Sequence, residues 1–181
     1  MIVAQQKRKE NIVEYILYMW QIEDIIRAHD FNMEKIQENL IQHYEQPDEV
    51  KQQIYEWYES LIEQMKEEGI VKQGHMVVYQ TLIDDLFDLH QQLLQNTDEL
   101  PYIESYKKAQ PALNDLVQKA KGAVKHEIEA AFTGLYGMLL LRLRGKEIQP
   151  ATAEAIASIS QMMARLSQRF HQVERGELDL E

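Results

Sequence analysis

Apolar residues recur along most of the chain at intervals of three and four positions, which is the spacing of a helix with one buried face. No stretch alternates apolar and polar residues with an enrichment in β-branched side chains, as a strand would. Proline is well suited to the first turn of a helix, and the four prolines each mark a predicted helix start: Pro47, Pro101, Pro111 and Pro150. The spacing predicts helical segments over residues 9–29, 33–45, 47–68, 75–95, 101–109, 111–144 and 150–175.

Length and composition indicate how these segments are organised. The chain has 181 residues, of which 45% are hydrophobic and 27% are charged, so it is long enough to bury a core and too apolar to be disordered. Seven glycines and four prolines leave few turns, and we find no repeat and no low-complexity linker. The sequence therefore predicts an all-α fold, a single-domain helical bundle of about six or seven helices spanning residues 1–181.

Two charged residues, Glu23 and Arg27, fall in the middle of the apolar face of the first predicted helix. They are four positions apart, with the glutamate first, which is the favourable order for an ion pair. In the segment 111–144, Arg142 lies on the flank of the apolar stripe and Tyr136 lies beside it. Because a charge in a core is costly unless it is paired, we expect Glu23, Arg27, Arg142 and Tyr136 to lie near one another.

Three interpretations of these polar residues stay open on the sequence alone. They form a buried or half-buried ion pair that fixes the register of the helices. Alternatively, they line a small polar pocket inside the bundle that holds an anionic or polar ligand. In the third, the face is exposed or covered by a partner subunit.

The segment 111–144 also carries small residues on the side opposite its apolar stripe. Ala130, Gly134 and Gly137 share this side, and a glycine inside a helix costs about 1 kcal/mol relative to alanine. Small residues allow another helix to approach closely. We therefore expect this helix to pack on two sides, near the centre of the bundle.

The spacing of histidines and carboxylates along the chain shows which metal-binding patterns it could contain. No histidine follows a glutamate by three positions, and no two histidines are four positions apart, so neither a ferritin-like dimetal pattern nor a zincin pattern is present. Two carboxylate pairs, Glu56 with Glu59 and Asp85 with Asp88, have the spacing of all-helical magnesium-dependent nucleotide pyrophosphohydrolases. The helical phase places both pairs on the outer side of their helices, so we keep this enzyme only as the alternative function. We expect no metal, no cofactor and no catalytic residue.

The charge and the cysteine content of the chain exclude several classes of function. The net charge is −11, from 19 basic and 30 acidic residues, whereas nucleic-acid binding requires a basic surface. Having no cysteine excludes disulfides and thiol chemistry. We recognise no signal peptide and no apolar run of the roughly 20 residues that a membrane span needs. We therefore expect a cytoplasmic protein that binds neither nucleic acid nor membrane.

The first predicted helix is apolar most of the way round, because Tyr18, Ile22 and Ile25 lie well off its main apolar stripe. Such a helix is either central in the bundle or covered by another chain. The sequence thus favours a non-catalytic helical binding or structural module, in the form of a homodimer. It identifies no protein partner and no small ligand.

Two stretches resemble an uncharacterised bacterial family, the domain-of-unknown-function family numbered four-nine-two-four. The first is the run IVEYILYMWQIED at residues 12–24, and the second comprises GLYG at 134–137, LLLRL at 139–143 and KEI at 146–148. The resemblance covers the whole chain. It implies an all-helical fold with no assigned activity, and it transfers no catalytic residue.

Overall fold

The computed structural model describes residues 1–178, and the chain is all-helical over this range. One 3₁₀ turn, Ile41–His43, connects two of its eight α-helices. The α-helices are α1 (Ile2–Glu10), α2 (Ile12–Ala28), α3 (Met33–Asn39), α4 (Asp48–Glu67), α5 (Val77–Gln95), α6 (Leu100–Ala120), α7 (Glu127–Leu143) and α8 (Pro150–Glu174). The all-α prediction is confirmed, whereas the predicted number of six or seven helices is too low.

The first difference from the prediction is at Asn11, which separates α1 from α2. Its backbone is extended, with φ −156°, and its side chain accepts hydrogen bonds from the backbone N–H groups of Val13 and Glu14. These are two of the N–H groups that have no partner within the helix, so Asn11 caps α2. The helix predicted from residue 9 therefore begins at Ile12, and a separate α1 precedes it.

The second difference is at Pro111, which was predicted to open a new helix and instead lies inside α6. A proline in a helix interior removes one N–H, and the carbonyl four positions earlier loses its donor. That carbonyl belongs to Lys107, and both residues are exposed, so water can bond the carbonyl. The helix consequently continues through the position without a break.

The predicted segment 111–144 is also interrupted, because α6 ends at Ala120 and α7 begins at Glu127. Lys121 and Gly122 both have positive φ, 49° and 86°, which turns the chain out of the right-handed helix. His126 then caps α7, since its Nδ1 atom accepts a hydrogen bond from the backbone N–H of Glu129. The ring of His126 is stacked on Phe87 of α5.

Helix α2 lies at the centre of the bundle and contacts α1, α4, α7 and α8. Burying one valine, isoleucine or methionine side chain contributes about 1.5–3 kcal/mol to the free energy of unfolding, so α2 is a principal source of stability. Its apolar residues are buried on more than one side: Ile12, Val13, Ile16, Met19, Ile22 and Ile26. Helix α6 packs mainly on α8 and α7. Over residues 1–178, no helix combines the length and the apolar character needed to cross a membrane.

Candidate functional site

A buried carboxylate forms the centre of the polar cluster on α2. Glu23 is completely buried, and its two oxygens accept hydrogen bonds from His75 Nδ1 at 2.5 Å and from the backbone N–H of Met76 at 2.9 Å. His75 and Met76 precede α5, and Glu68 accepts a hydrogen bond from the backbone N–H of Val77, the first residue of that helix. The N-terminus of α5 is therefore capped by one carboxylate from α2 and one from the residue that follows α4, which the helix dipole favours.

Aromatic packing covers this hydrogen bond. The imidazole ring of His75 is stacked on the indole of Trp20, with ring centroids 3.8 Å apart and planes 8° from parallel. Tyr136 of α7 meets Trp20 edge to face at 5.4 Å and meets His75 in the same way at 6.5 Å. Edge-to-face and offset-stacked rings each add about 0.5–1.5 kcal/mol beyond the burial of their surface. Three segments, α2, α7 and the loop before α5, thus meet at one point.

Arg27 fixes the same loop from the other direction. Its guanidinium donates to the backbone carbonyls of Ile70 and Gly74 and forms an ion pair with Asp24 at 3.0 Å. The other oxygen of Asp24 accepts the hydroxyl of Tyr136 at 2.6 Å. Burial raises the pKa of Tyr136, and the bond to Asp24 raises it further, so the hydroxyl remains a donor at neutral pH.

The structure therefore brings together three of the four predicted polar residues, with pairings that differ from the expected ones. Glu23 bonds to His75 and Arg27 bonds to Asp24, so the expected pair between Glu23 and Arg27 is replaced by two separate interactions. Glu23 and Asp24 lie four and three positions before Arg27, so all three side chains are on the same side of α2, which faces the loop. Arg142 does not join the cluster, because it is exposed and lies near the end of α7.

The helical spacing in the sequence does not identify His75, Asp24 or the role of Trp20 in this cluster. The sequence did indicate that Glu23 has a buried partner, since a glutamate in the centre of an apolar face requires a hydrogen-bond donor. The spacing along α2 points to Arg27, which the helix itself supplies, whereas His75 lies 52 positions away in a loop. Periodicity carries no information about such a partner.

A second buried histidine has a structural role elsewhere in the bundle. His90 is completely buried, and its ring nitrogens contact the Tyr102 hydroxyl at 2.6 Å and Glu127 at 3.0 Å. Glu127 also accepts the hydroxyl of Tyr106 at 3.0 Å, which links α5, α6 and α7. Burial alone would raise the pKa of Glu127, but the hydrogen bonds from His90 and Tyr106 outweigh it and hold the pKa below its usual value. Each ring nitrogen of this histidine has a protein partner, as expected for a satisfied core residue.

A long groove runs between α2, α7 and α8 on the outer surface, with a volume of about 1070 Å³. Leu17, Leu135, Leu139 and Ile156 are among the partly exposed apolar side chains that line it. Arg142 lies along this groove. Charged side chains of both signs accompany it, among them Lys7, Glu14 and Glu154.

The carboxylates of the alternative enzyme are exposed in the structure. Glu56 and Glu59 are on the outer side of α4, and Asp85 and Asp88 are on the outer side of α5. Within residues 1–178, no group of three or more histidine, aspartate and glutamate side chains is arranged to hold a metal ion.

The small residues of α7 have three different environments. Ala130 is buried, and at Gly134 a Cβ atom would lie 2.6 Å from Leu116 Cδ1 of α6 and 3.5 Å from Ile156 Cδ1 of α8. Gly137 is exposed, with nothing within 4 Å of the position of its Cβ atom. Of the two glycines of α7, only Gly134 is thus closely approached by neighbouring side chains.

Comparison with known proteins gives one family. The family model described as Domain of unknown function (DUF4924) matches residues 1–177. No curated protein and no solved structure matches the chain.

Proposed function

The chain belongs to the family described as Domain of unknown function (DUF4924), and we propose that it is a non-catalytic helical binding module that forms a homodimer. The observation that carries this proposal is the groove between α2, α7 and α8. Its volume, about 1070 Å³, exceeds that of an ordinary small-molecule pocket, and its apolar side chains are partly exposed. A contiguous apolar surface with a polar rim is typical of a protein interaction site.

The charges around the groove favour a second copy of the chain as its occupant. A two-fold dimer joins the same surface patch on both subunits, so that patch must be complementary to itself. The rim provides both signs, because Arg142 lies on α7 and Glu154 lies on α8. In the described part of the chain neither residue forms a salt bridge, so each is available to a residue of opposite charge on a second copy.

Further apolar side chains are exposed on α7, one of the helices that line the groove. Leu141 and Leu143, at the end of α7, are 41% and 69% exposed. A stable dimer buries about 800 Å² on each partner, and exposed leucines on a helix that lines the groove are available to contribute to this area. The cluster around Glu23 supports the same interpretation, since its contacts hold α7 against α2 and so fix two walls of the groove.

The mass of the chain in solution tests this proposal. We expect size-exclusion chromatography with light scattering to give twice the 21.3 kDa chain mass at high micromolar concentration. Ala157 is exposed on α8 and lines the groove, so Ala157→Arg places a charge in the interface and is expected to give the monomer mass. Ala151→Arg is the matched control, because Ala151 is exposed on the same helix outside the groove.

The result has a clear contrary outcome. A wild-type chain that remains a monomer at high concentration would contradict the homodimer. So would an Ala157→Arg chain that keeps the dimer mass and the wild-type thermal unfolding midpoint. Equal dissociation of the Ala151→Arg and Ala157→Arg variants would place the interface elsewhere.

A further inference from the structure

A second concavity, distinct in composition from the groove, lies between the start of α1, α2, the segment before α4 and the middle of α4. Its volume is about 440 Å³, within the range of small-molecule pockets. Four of its lining residues are aromatic: Tyr18, Tyr44, Trp57 and Tyr58. The rings of Trp57 and Tyr58 meet edge to face at 5.2 Å, and Tyr58 is almost fully buried, so the wall formed by α4 is firmly packed.

The charged side chain that lines this cavity is acidic. Glu45 is an exposed carboxylate that lines it, and the lining contains no lysine and no arginine. Met1 also lines the cavity. Burial raises the pKa values of Tyr18 and Tyr58, so both of these phenols are neutral.

Aromatic rings and a carboxylate favour the same kind of ligand. The face of an aromatic ring carries negative potential, and a cation near it gains about 0.5–2 kcal/mol, most strongly at tryptophan. A nearby carboxylate adds to this attraction, and the net charge of the chain, −11, attracts cations over a longer range. Glu45 would repel an anionic ligand, and a neutral apolar ligand would gain no electrostatic attraction from it.

We propose that this cavity is a binding site for a small organic cation of the alkylammonium class, held by Tyr18, Tyr44 and Trp57 with Glu45 at its side. The cavity shares Tyr18 with the groove of the proposed dimer, and none of its other lining residues lines the groove. It needs no catalytic group. A binding module with such a site recognises its ligand through charge and shape.

Calorimetric titration with two ligands of one shape tests the proposal. Choline carries a quaternary ammonium group, and 3,3-dimethylbutan-1-ol has a neutral carbon in the place of the nitrogen. We expect choline to bind the full chain about tenfold more tightly than the alcohol, as a cation–π contribution of this size implies. Equal affinity for the two ligands, or no heat from choline at millimolar concentration, would overturn the assignment.

Two variants connect binding to the cavity. Glu45→Gln removes an exposed charge and is expected to weaken choline binding about threefold without changing the fold. Glu49→Gln is the matched control, because Glu49 is exposed in the first turn of α4 and does not line the cavity, and it should bind choline as the wild type does. Identical affinities of these two variants would contradict the role of Glu45.

Trp57→Leu keeps an apolar wall and removes the indole. It is expected to weaken choline binding about tenfold while leaving the affinity for the alcohol within twofold. Parallel loss of both ligands would show an apolar pocket with no preference for a cation. The groove variant Ala157→Arg should bind choline as the wild type does, so failure of the dimer proposal and failure of the cation site are distinguishable.

Discussion

His75 lies flat on Trp20, with ring centroids 3.8 Å apart, while its Nδ1 atom donates to the fully buried Glu23. The histidine belongs to the loop between α4 and α5, and the other two residues belong to α2. Glu23 also accepts the Met76 N–H, so one carboxylate holds the loop and caps the next helix. The residues that looked anomalous on an apolar helix face therefore position a loop.

Replacing Glu23 by glutamine should destabilise the chain by about 1–3 kcal/mol. The amide oxygen can accept the Met76 N–H while the NH₂ group faces His75 Nδ1, which must then change tautomer to accept, so two bonds to a charged acceptor become weaker neutral ones. Urea unfolding monitored by circular dichroism at pH 7 measures the loss. Glu14→Gln is the control, because Glu14 is exposed on α2, and its effect should stay within about 0.5 kcal/mol.

Equal stabilities of these two glutamine variants would mean that the Glu23 contacts add nothing beyond the apolar packing around them. Near-ultraviolet circular dichroism gives an independent test. We expect a change in the tryptophan bands in Glu23→Gln, because the charge-assisted bond that holds the His75 ring on Trp20 is replaced by a weaker neutral one. The bands should be unchanged in Glu14→Gln.

Acid should weaken the fold through carboxylates whose pKa values are depressed. The pKa of Glu174 is lowered, chiefly by the hydrogen bond from Arg8, and that of Glu127 is lowered because its bonds from His90 and Tyr106 outweigh its burial. A carboxylate whose pKa is depressed in the folded state stabilises the fold when the pH is above 4.5, the ordinary pKa of glutamate. This stability is lost as the pH falls below that value, because the unfolded chain then binds more protons than the folded chain.

We therefore expect the unfolding free energy of Glu127→Gln to change less between pH 5 and pH 3 than that of the wild type, with both pH limits approximate. Urea unfolding at several pH values in this range gives the slopes. Glu104→Gln, an exposed change on α6, should keep the wild-type slope. A Glu127→Gln slope equal to that of the wild type would show that Glu127 titrates alike in both states.

Helical periodicity was sufficient to predict the fold class and the positions of most helices, because buried apolar residues recur every three to four positions along them. The break at Asn11 was also encoded in the sequence, since an asparagine before an apolar run, with Glu14 three positions later, is a capping pattern. The continuity of α6 through Pro111 was not, because it depends on the exposure of the Lys107 carbonyl. The partner of Glu23 lies in a loop, where no periodicity acts.

Glycine substitutions on α7 should separate close packing from helix propensity. Gly137→Ala is expected to stabilise the chain by about 0.5–1 kcal/mol, because nothing lies within 4 Å of the new Cβ atom and alanine favours a helix. Gly134→Ala should gain less or destabilise, since its Cβ atom would lie 2.6 Å from Leu116 Cδ1. Chemical denaturation of both variants gives the order, and a larger gain at Gly134 would contradict the close approach of α6 to α7.

Replacing Pro111 by alanine should stabilise the chain by about 1–2 kcal/mol. Alanine restores the N–H that bonds the Lys107 carbonyl, and a proline inside a helix costs about 3 kcal/mol, part of which is offset because proline restricts the unfolded chain. The thermal unfolding midpoint should rise accordingly. Pro150→Ala is the control, because Pro150 occupies the first position of α8, where its missing N–H costs nothing, so this variant should gain no stability. An equal rise in both variants would show that the gain does not come from the restored hydrogen bond to the Lys107 carbonyl.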